Sequence, residues 1–267
     1  MNDFELDHAS LTDVGTGRDH NEDACVSSAE GEGQAVAAVA DGVSQAAGGE
    51  VASEMAVEVL LRAFREEGGS PGQRLYRAFQ QANIEIYDRA VAVPELRGMT
   101  TTLTALVVDR GELTAVHAGD SRLYLVRGGQ VVQLTKDHTV AAEKVRYGLL
   151  SRERARNHPD RSVLTRSVGR ELIVSRDRIT QRLQQGDLLL ACSDGLHGVL
   201  EDGELAELCD GSAAEACRRL LETANRRGTP DNLSAAVIRL VGPVPDDAAE
   251  PGQGGLKARL RRIFGGG

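Results

Sequence analysis

The feature that most constrains this chain is a run of short β-branched segments packed closely together between residues 101 and 134. Residues 101–109 (TTLTALVVD) form an apolar stretch that stops at Arg110-Gly111, a turn signal. Residues 113–117, 122–126 and 131–134 follow at short spacing, and Gly128-Gly129 between the last two predicts a hairpin. Together they read as an antiparallel meander. Residues 34–40, 187–192 and 233–240 repeat the short apolar pattern elsewhere. Two long segments have helical spacing instead. Within residues 50–66, Val51, Met55 and Val59 recur every fourth position; within 72–90, Leu75, Phe79, Ala82 and Ile86 make one stripe. A third helix is predicted over 212–226, opened by a capping box of Ser212 and Glu215. The helices are grouped rather than alternating one-to-one with strands, so the expected class is α+β layering, not a doubly wound parallel sheet. With aromatics at 3 % and no Trp, the core must come from Val, Leu, Ile and Ala. A length of 267 residues allows one large domain or two small ones, and no internal repeat divides it.

Charge and composition remove several classes of function. A net charge of −9 argues against a general nucleic-acid binder, whose phosphate contacts need a basic surface. No apolar run approaches the roughly 18 residues of a membrane span. The opening MNDFELDHAS has neither a basic nor an apolar region of a signal peptide. Cys25, Cys192, Cys209 and Cys217 lie far apart without metal-type spacing, which suits reduced thiols and a cytoplasmic protein. Residues 241–255 hold three prolines and no period, so they read as a linker. The tail beyond carries Lys257, Arg259, Arg261 and Arg262, with Leu256, Leu260, Ile263 and Phe264 on one helical face. The expected division is a folded unit over 1–240 and a disordered linker and tail over 241–267. Contact of the tail with an anionic membrane or a partner is the minority reading. Nothing demands more than a monomer.

Four aspartates share a context that surface acids rarely have. Asp41, Asp120 and Asp194 each sit where an apolar run gives way to Gly or Ser, and Asp231 stands in GTPDN just before the segment 233–240. Any one of them alone reads as an ordinary turn residue. Four together, if they converge, make an all-oxygen site for a hard divalent cation. Upstream, the run Arg18-Asp19-His20-Asn21-Glu22-Asp23 is either a solvated loop or a metal- and phosphate-binding one, with Arg18 suited to phosphate.

Eight pieces, in order, resemble the protein phosphatase 2C family, the metal-dependent Ser/Thr phosphatases, in its bacterial form. They are RDHNED (18–23), VADG (39–42) with GGEVAS (48–53), GMTTTLTAL (98–106), HAGDSRLY (117–124), LTKDHT (134–139), GLLSRERARNHPDRSVLTRSVG (148–169), LLLACSDGL (188–196) and GTPDNLS (228–234). The resemblance covers about residues 8–240. It implies a four-layer α-β-β-α sandwich of two antiparallel sheets flanked by helices. It also implies two Mn²⁺ or Mg²⁺ ions and a possible third, weaker site. On this resemblance Asp41 bridges the two metals with the Gly42 carbonyl on one, and Asp194 and Asp231 complete the shell of the first metal. Asp23 or Glu22 serves the second metal, Asp120 matches the acid of the third, Arg18 holds the phosphate, and Asn232 orients Asp231.

The chemistry such a site supports needs no protein nucleophile: two metals acidify a shared water and neutralise phosphoryl oxygens. The cysteine-phosphatase pattern HCx5R is absent from the sequence, in agreement. Two departures from the bacterial pattern stand out. Ala46 occupies the place of a His that is a candidate leaving-group acid, and Met99-Thr100-Thr101-Thr102 lacks the usual Gly. The leading expectation is a phosphoprotein phosphatase opposing a Ser/Thr kinase. An inactive phosphopeptide-binding scaffold and a hydrolase of small phosphate esters are the alternatives. Residues 138–169 match a flap whose Arg146, Arg152, Arg154, Arg156, Arg161 and Arg166 are either a solvated face or a dock for an acidic phosphopeptide. His117, His138 and His158 read as structural, and His197 as a residue near the site.

Overall fold

A computed structural model describes residues 5–43 and 48–242. Eleven strands are found among them: β1 (Leu6–Asp13), β2 (Asp23–Gly31), β3 (Gln34–Val43), β4 (Thr100–Thr101), β5 (Leu103–Asp109), β6 (Glu112–Ala118), β7 (Arg122–Arg127), β8 (Gln130–Gln133), β9 (Asp177–Arg182), β10 (Leu188–Cys192) and β11 (Leu233–Leu240). The long helices are α1 (Gly49–Glu66), α2 (Pro71–Ala92) and, late in the chain, α7 (Ala213–Arg226). Between them lie four short ones: α3 (Val140–Arg146), α4 (Arg152–Arg156), α5 (Asp194–His197) and α6 (Asp202–Leu208).

The strands form two antiparallel sheets. One runs β1-β11-β10-β7-β8; the other runs β2-β3-β5-β6-β9, with β4 paired to β3. Three apolar layers fill the spaces between four layers of structure. Val36, Ala38 and Ala40 of β3 face α1 and α2, while Ala35, Ala37 and Val39 face the other sheet. On β11, Ala236 and Ile238 face inward and Ala235 and Val237 face α7. Burial on both faces explains why these strands read as continuous apolar runs rather than alternating ones. The capping box anticipated at Ser212 and Glu215 opens α7, and Ser70 with Gln73 forms a second one, not read from the sequence, at α2 ahead of Pro71.

Two expectations change. Residues 101–134 are not one meander, because β5-β6 belongs to one sheet and β7-β8 to the other. The chain crosses between the sheets at Gly119-Asp120-Ser121. Gly119 has φ +116°, and a Cβ there would lie 2.5 Å from Thr102 Cβ, so only glycine fits. The segment 101–109 is also interrupted at Thr102, where β4 ends and β5 begins. Strands β1, β2 and β9, which carry no apolar run, are all sheet edges with partly exposed residues.

The linker and tail beyond residue 242, and Ala46, lie outside the described residues. Among the described residues no helix is long and apolar enough to cross a membrane. Cys192, Cys209 and Cys217 are buried free thiols and Cys25 is half-buried. The flap holds α3, α4 and a 3-10 turn, Pro159–Ser162, that His158 caps through the Asp160 N–H. Arg166 pairs with Asp177 at 2.8 Å and Arg146 stacks over Tyr147, so these two flap cations are already engaged.

Candidate active site

The antiparallel pairing brings the acids to one end of the sandwich. There β1, β3, β6 and β10 finish while β2 and β11 begin. Asp23 and Asp41 are direct partners on β2 and β3. Asp194 opens α5 immediately after β10, Asp231 precedes β11, and Asp120 lies in the crossing between the sheets. Thus turns separated widely in sequence come close enough for their charges to act on one another.

The backbone at Asp41 is held by hydroxyls. Its N–H donates to Thr102 Oγ1 at 2.9 Å, and its carbonyl accepts from the Thr102 N–H at 2.8 Å and from Thr101 Oγ1 at 2.9 Å. The threonine run therefore accommodates the missing glycine: Thr100 and Thr101 pair as β4 with Val43 and Gly42. Gly42 and Gly49 are required by close approach. A Cβ on Gly42 would lie 2.1 Å from the Gly49 carbonyl oxygen, and one on Gly49 would lie 2.4 Å from Glu22 Oε1. The start of α1 thus presses on both the Asp41 strand and the Glu22 carboxylate. An acid at a helix N-terminus is electrostatically favoured.

Asp23 is 7 % exposed and turned inward, accepting a 2.6 Å bond from Ser193 Oγ, which itself accepts from the Ser234 N–H. Asn232 is the principal cross-brace. Its Oδ1 accepts from the Glu22 N–H at 2.9 Å, and its Nδ2 donates to the carbonyls of Val14 and His20, each at 2.8 Å. The expectation that Asn232 orients Asp231 is met only by its backbone N–H, which donates to Asp231 Oδ1; its side chain organises the Arg18 loop instead. Arg18 reaches Asp231 at 2.9 Å and Glu22 at 3.8 Å. His197 donates from Nε2 to the Asp120 carbonyl at 3.0 Å, so it supports that turn. His20 is exposed, and its carbonyl anchors the loop.

The electrostatics are those of crowded, buried carboxyls. Burial raises Asp41 well above the usual carboxylate range, and the charges of Asp23, Asp194, Asp120 and Asp231 add to it. Burial likewise raises Asp194, helped by Asp231, and raises Asp120, helped by Asp194. Asp23 is pushed up to about 7 by burial, against the Ser193 hydrogen bond that favours its charged form. Among the described residues no three His, Cys, Asp or Glu side chains are drawn close enough to hold an ion directly. The donors are all oxygen, mutually repelling and arrayed around Asp41. That fits hard cations that retain several waters, rather than zinc or another ion wanting a tight N/S cage.

Sequence reasoning named the acids around Asp41 but not their scaffolding, nor Asp137, whose charge also raises Asp120. Thr101, Thr102, Ser193 and Gly49 were overlooked, although three hydroxyl residues beside a strand and a Ser before Asp194 carry a weak signal.

Comparison with known proteins agrees with this geometry. The family model described as protein phosphatase 2C matches residues 16–237. The Ser/Thr protein phosphatase PstP of Mycobacterium tuberculosis is 37 % identical over 240 residues, 88 % of this chain, which spans 45 % of that protein's length. The Ser/Thr phosphatase stp of Listeria monocytogenes is 34 % identical over 239 residues, 86 % of this chain and 95 % of its own length. A crystal structure of the PstP catalytic domain with two manganese ions superposes with a TM-score of 0.78 at 34 % identity, covering 88 % of this chain and 98 % of that one. With the strand order, the acid cluster and the family match in agreement over most of its length, the chain belongs to the protein phosphatase 2C family.

Proposed function

We propose that this protein hydrolyses phosphoserine and phosphothreonine in proteins by water attack at a centre of two divalent cations, manganese or magnesium. The observation that carries the reading is the meeting of Asp41 with Asp23, Asp194, Asp120 and Asp231, each of whose charges raises its pKa. Cations relieve that repulsion; when bound they acidify water to hydroxide near neutral pH and neutralise phosphoryl oxygens. Asp41 is assigned the bridging position, with the Gly42 carbonyl beside it. Asp194 and Asp231 take one ion, and Glu22 the other, with Asp23 acting behind it through its inward bond to Ser193. Asp120 serves a third, weaker position. Arg18 stands at the rim, 46 % exposed, with a guanidinium suited to two phosphoryl oxygens. Its present partner Asp231 holds it in place until a phosphate competes for it. Support for the cation identity comes from the manganese-bound PstP relative.

Residues 1–240 are proposed as the catalytic unit, acting as a monomer in the cytoplasm on phosphoproteins of a Ser/Thr kinase pathway. Phosphate release from a phosphothreonine peptide, with Mn²⁺ and with EDTA, tests the reading. Native protein should turn over only with metal, and Asp41→Asn should lose at least a hundredfold in rate. Near-normal turnover in Asp41→Asn, or in EDTA, refutes the two-metal assignment.

A further inference from the structure

A groove of about 990 Å³ adjoins this end of the sandwich, between the C-terminal half of α2 and the flap. Its α2 wall is one helical face, Tyr87, Ala90 and Val91, and its flap wall includes Val163 and Leu164. Val43 also lines it. Val43 lies two residues past Asp41 on the same strand, roughly 7 Å at the rise of an extended chain. Three of these apolar side chains are open: Val91 is 69 % exposed, Val163 49 % and Val43 40 %. Two arginines, Arg97 and Arg170, line the groove, and no acid does. Neither arginine is in an ion pair among the described residues, whereas the chain as a whole is at −9. None of the six flap arginines singled out in the sequence lines it.

Resting on the phosphatase reading, we propose that this groove selects the protein segment flanking the phosphorylated residue, favouring an aliphatic and an acidic side chain two to five positions away. The spacing follows from geometry: an extended peptide whose phosphate is at Asp41 reaches Val43 with its second neighbour. The aliphatic side chain covers exposed Val91 and Val163, and the acid meets Arg97 or Arg170. Charge separates this occupant from the chain's own tail, whose four cations would meet two arginines.

The test uses full-length protein with Mn²⁺ and two phosphothreonine peptides of equal length. One carries Leu and Glu at positions two to five on both sides; the other carries Gly and Lys there. Native protein should show a three- to tenfold lower KM for the Leu/Glu peptide, the range two exposed charge pairs supply. Arg97→Glu/Arg170→Glu should invert that preference while leaving hydrolysis of p-nitrophenyl phosphate unchanged. Val91→Asp should weaken binding of the Leu/Glu peptide but not of the Gly/Lys peptide, without changing that small ester. Equal KM values in native protein, or a double variant that keeps the native preference, overturns the proposal. So does an equal loss on peptide and small ester. If native protein releases no phosphate, the phosphatase reading has failed, and anisotropy of the same labelled peptides decides the groove. Tighter binding of Leu/Glu that inverts in the double variant sustains it, and equal binding refutes it.

Discussion

His117 gives the sharpest quantitative handle on how the site's surroundings are built. The ring is wholly buried, with Nε2 donating to the Lys136 carbonyl at 3.1 Å and Nδ1 facing Thr104 Oγ1 at 2.9 Å. It stacks on His138, whose Nδ1 accepts from the Gly119 N–H, so the ring pair backs the turn that carries Asp120. Burial, with a smaller contribution from the charge of His138, lowers the pKa of His117 to about 4. The unfolded chain, with an ordinary value near 6.5, therefore takes up the proton first as pH falls. Stability from the neutral buried ring is complete above pH ~6.5 and is lost progressively toward pH ~4. Between pH 7 and pH 5 the loss is about 2 kcal/mol, most of what the gap between about 6.5 unfolded and about 4 folded supplies at 1.36 kcal/mol per tenfold change. The raised carboxyls act in the opposite sense, so total stability does not isolate this residue. Urea unfolding of native protein and His117→Gln at both pH values, without metal, does. The native advantage over the variant should shrink by about 2 kcal/mol from pH 7 to pH 5. An advantage that stays constant or grows, or a directly titrated His117 pKa near 6.5, refutes the reasoning.

Other perturbations probe the frame. Arg127→Ala strands the Asp187 carboxylate, whose side chain is 1 % exposed and bonded to Arg127 at 2.6 Å; the expected cost is about 2 kcal/mol in chemical unfolding, since Arg127 is partly open to water. Arg127→Met with Asp187→Asn should recover most of it. Asn232→Ala removes three side-chain bonds and should cost about 3 kcal/mol, with a larger fractional loss of turnover than any edge-strand substitution of equal stability cost. Native-like turnover in that variant would show that the Arg18 loop is ordered without it. Gly42→Ala places a Cβ 2.1 Å from the Gly49 carbonyl and should abolish turnover and lower Tm, whereas Gly203→Ala, with nothing within 4 Å, should do neither.

The interior strands were legible because burial on both faces leaves an uninterrupted apolar signature, as in β3 and β11. Long helices were legible for the opposite reason: one buried stripe and a cap, as at Ser212. Edge strands such as β1 (LDHASLTD) have one partner and many polar residues, so their pairing is decided by the neighbouring strand. Sheet membership was equally hidden. Nothing in the local pattern says that β6 and β7, three residues apart, belong to different sheets; Gly119 beside Thr102 decides it. In the site, charged residues between an apolar run and a turn announced themselves. Thr102 and Ser193 act by hydrogen bonding to backbone or carboxylate, and hydroxyls at such positions look like any turn residue.

The distribution of the acids over two sheets makes the site an indicator of how the sheets pack. Asp23 and Asp41 belong to one sheet; Asp194 and Asp231 are carried by the ends of strands in the other. Polar bonds fix the two halves in register at this end, among them Thr102 Oγ1 to Ser121 Oγ at 2.7 Å. Ser193 binds Asp23 across 170 residues of sequence, and Asn232 binds the Glu22 N–H across 210. Elsewhere the sheets meet mainly through Ala, Val, Leu and Ile side chains that have no directional preference, with a few polar contacts such as His8 Nδ1 to Ser27 Oγ and Arg127 to the Arg182 carbonyl. A slip of one sheet over the other would disturb the close-packed apolar layer, break these polar links and separate the carboxylates. Because buried polar groups left unpaired are costly, those links resist the slip. Polar links between the sheets at this end thus help to hold the acids together. Core substitutions far from Asp41 that shift the sheets should therefore reduce turnover before they reduce secondary structure.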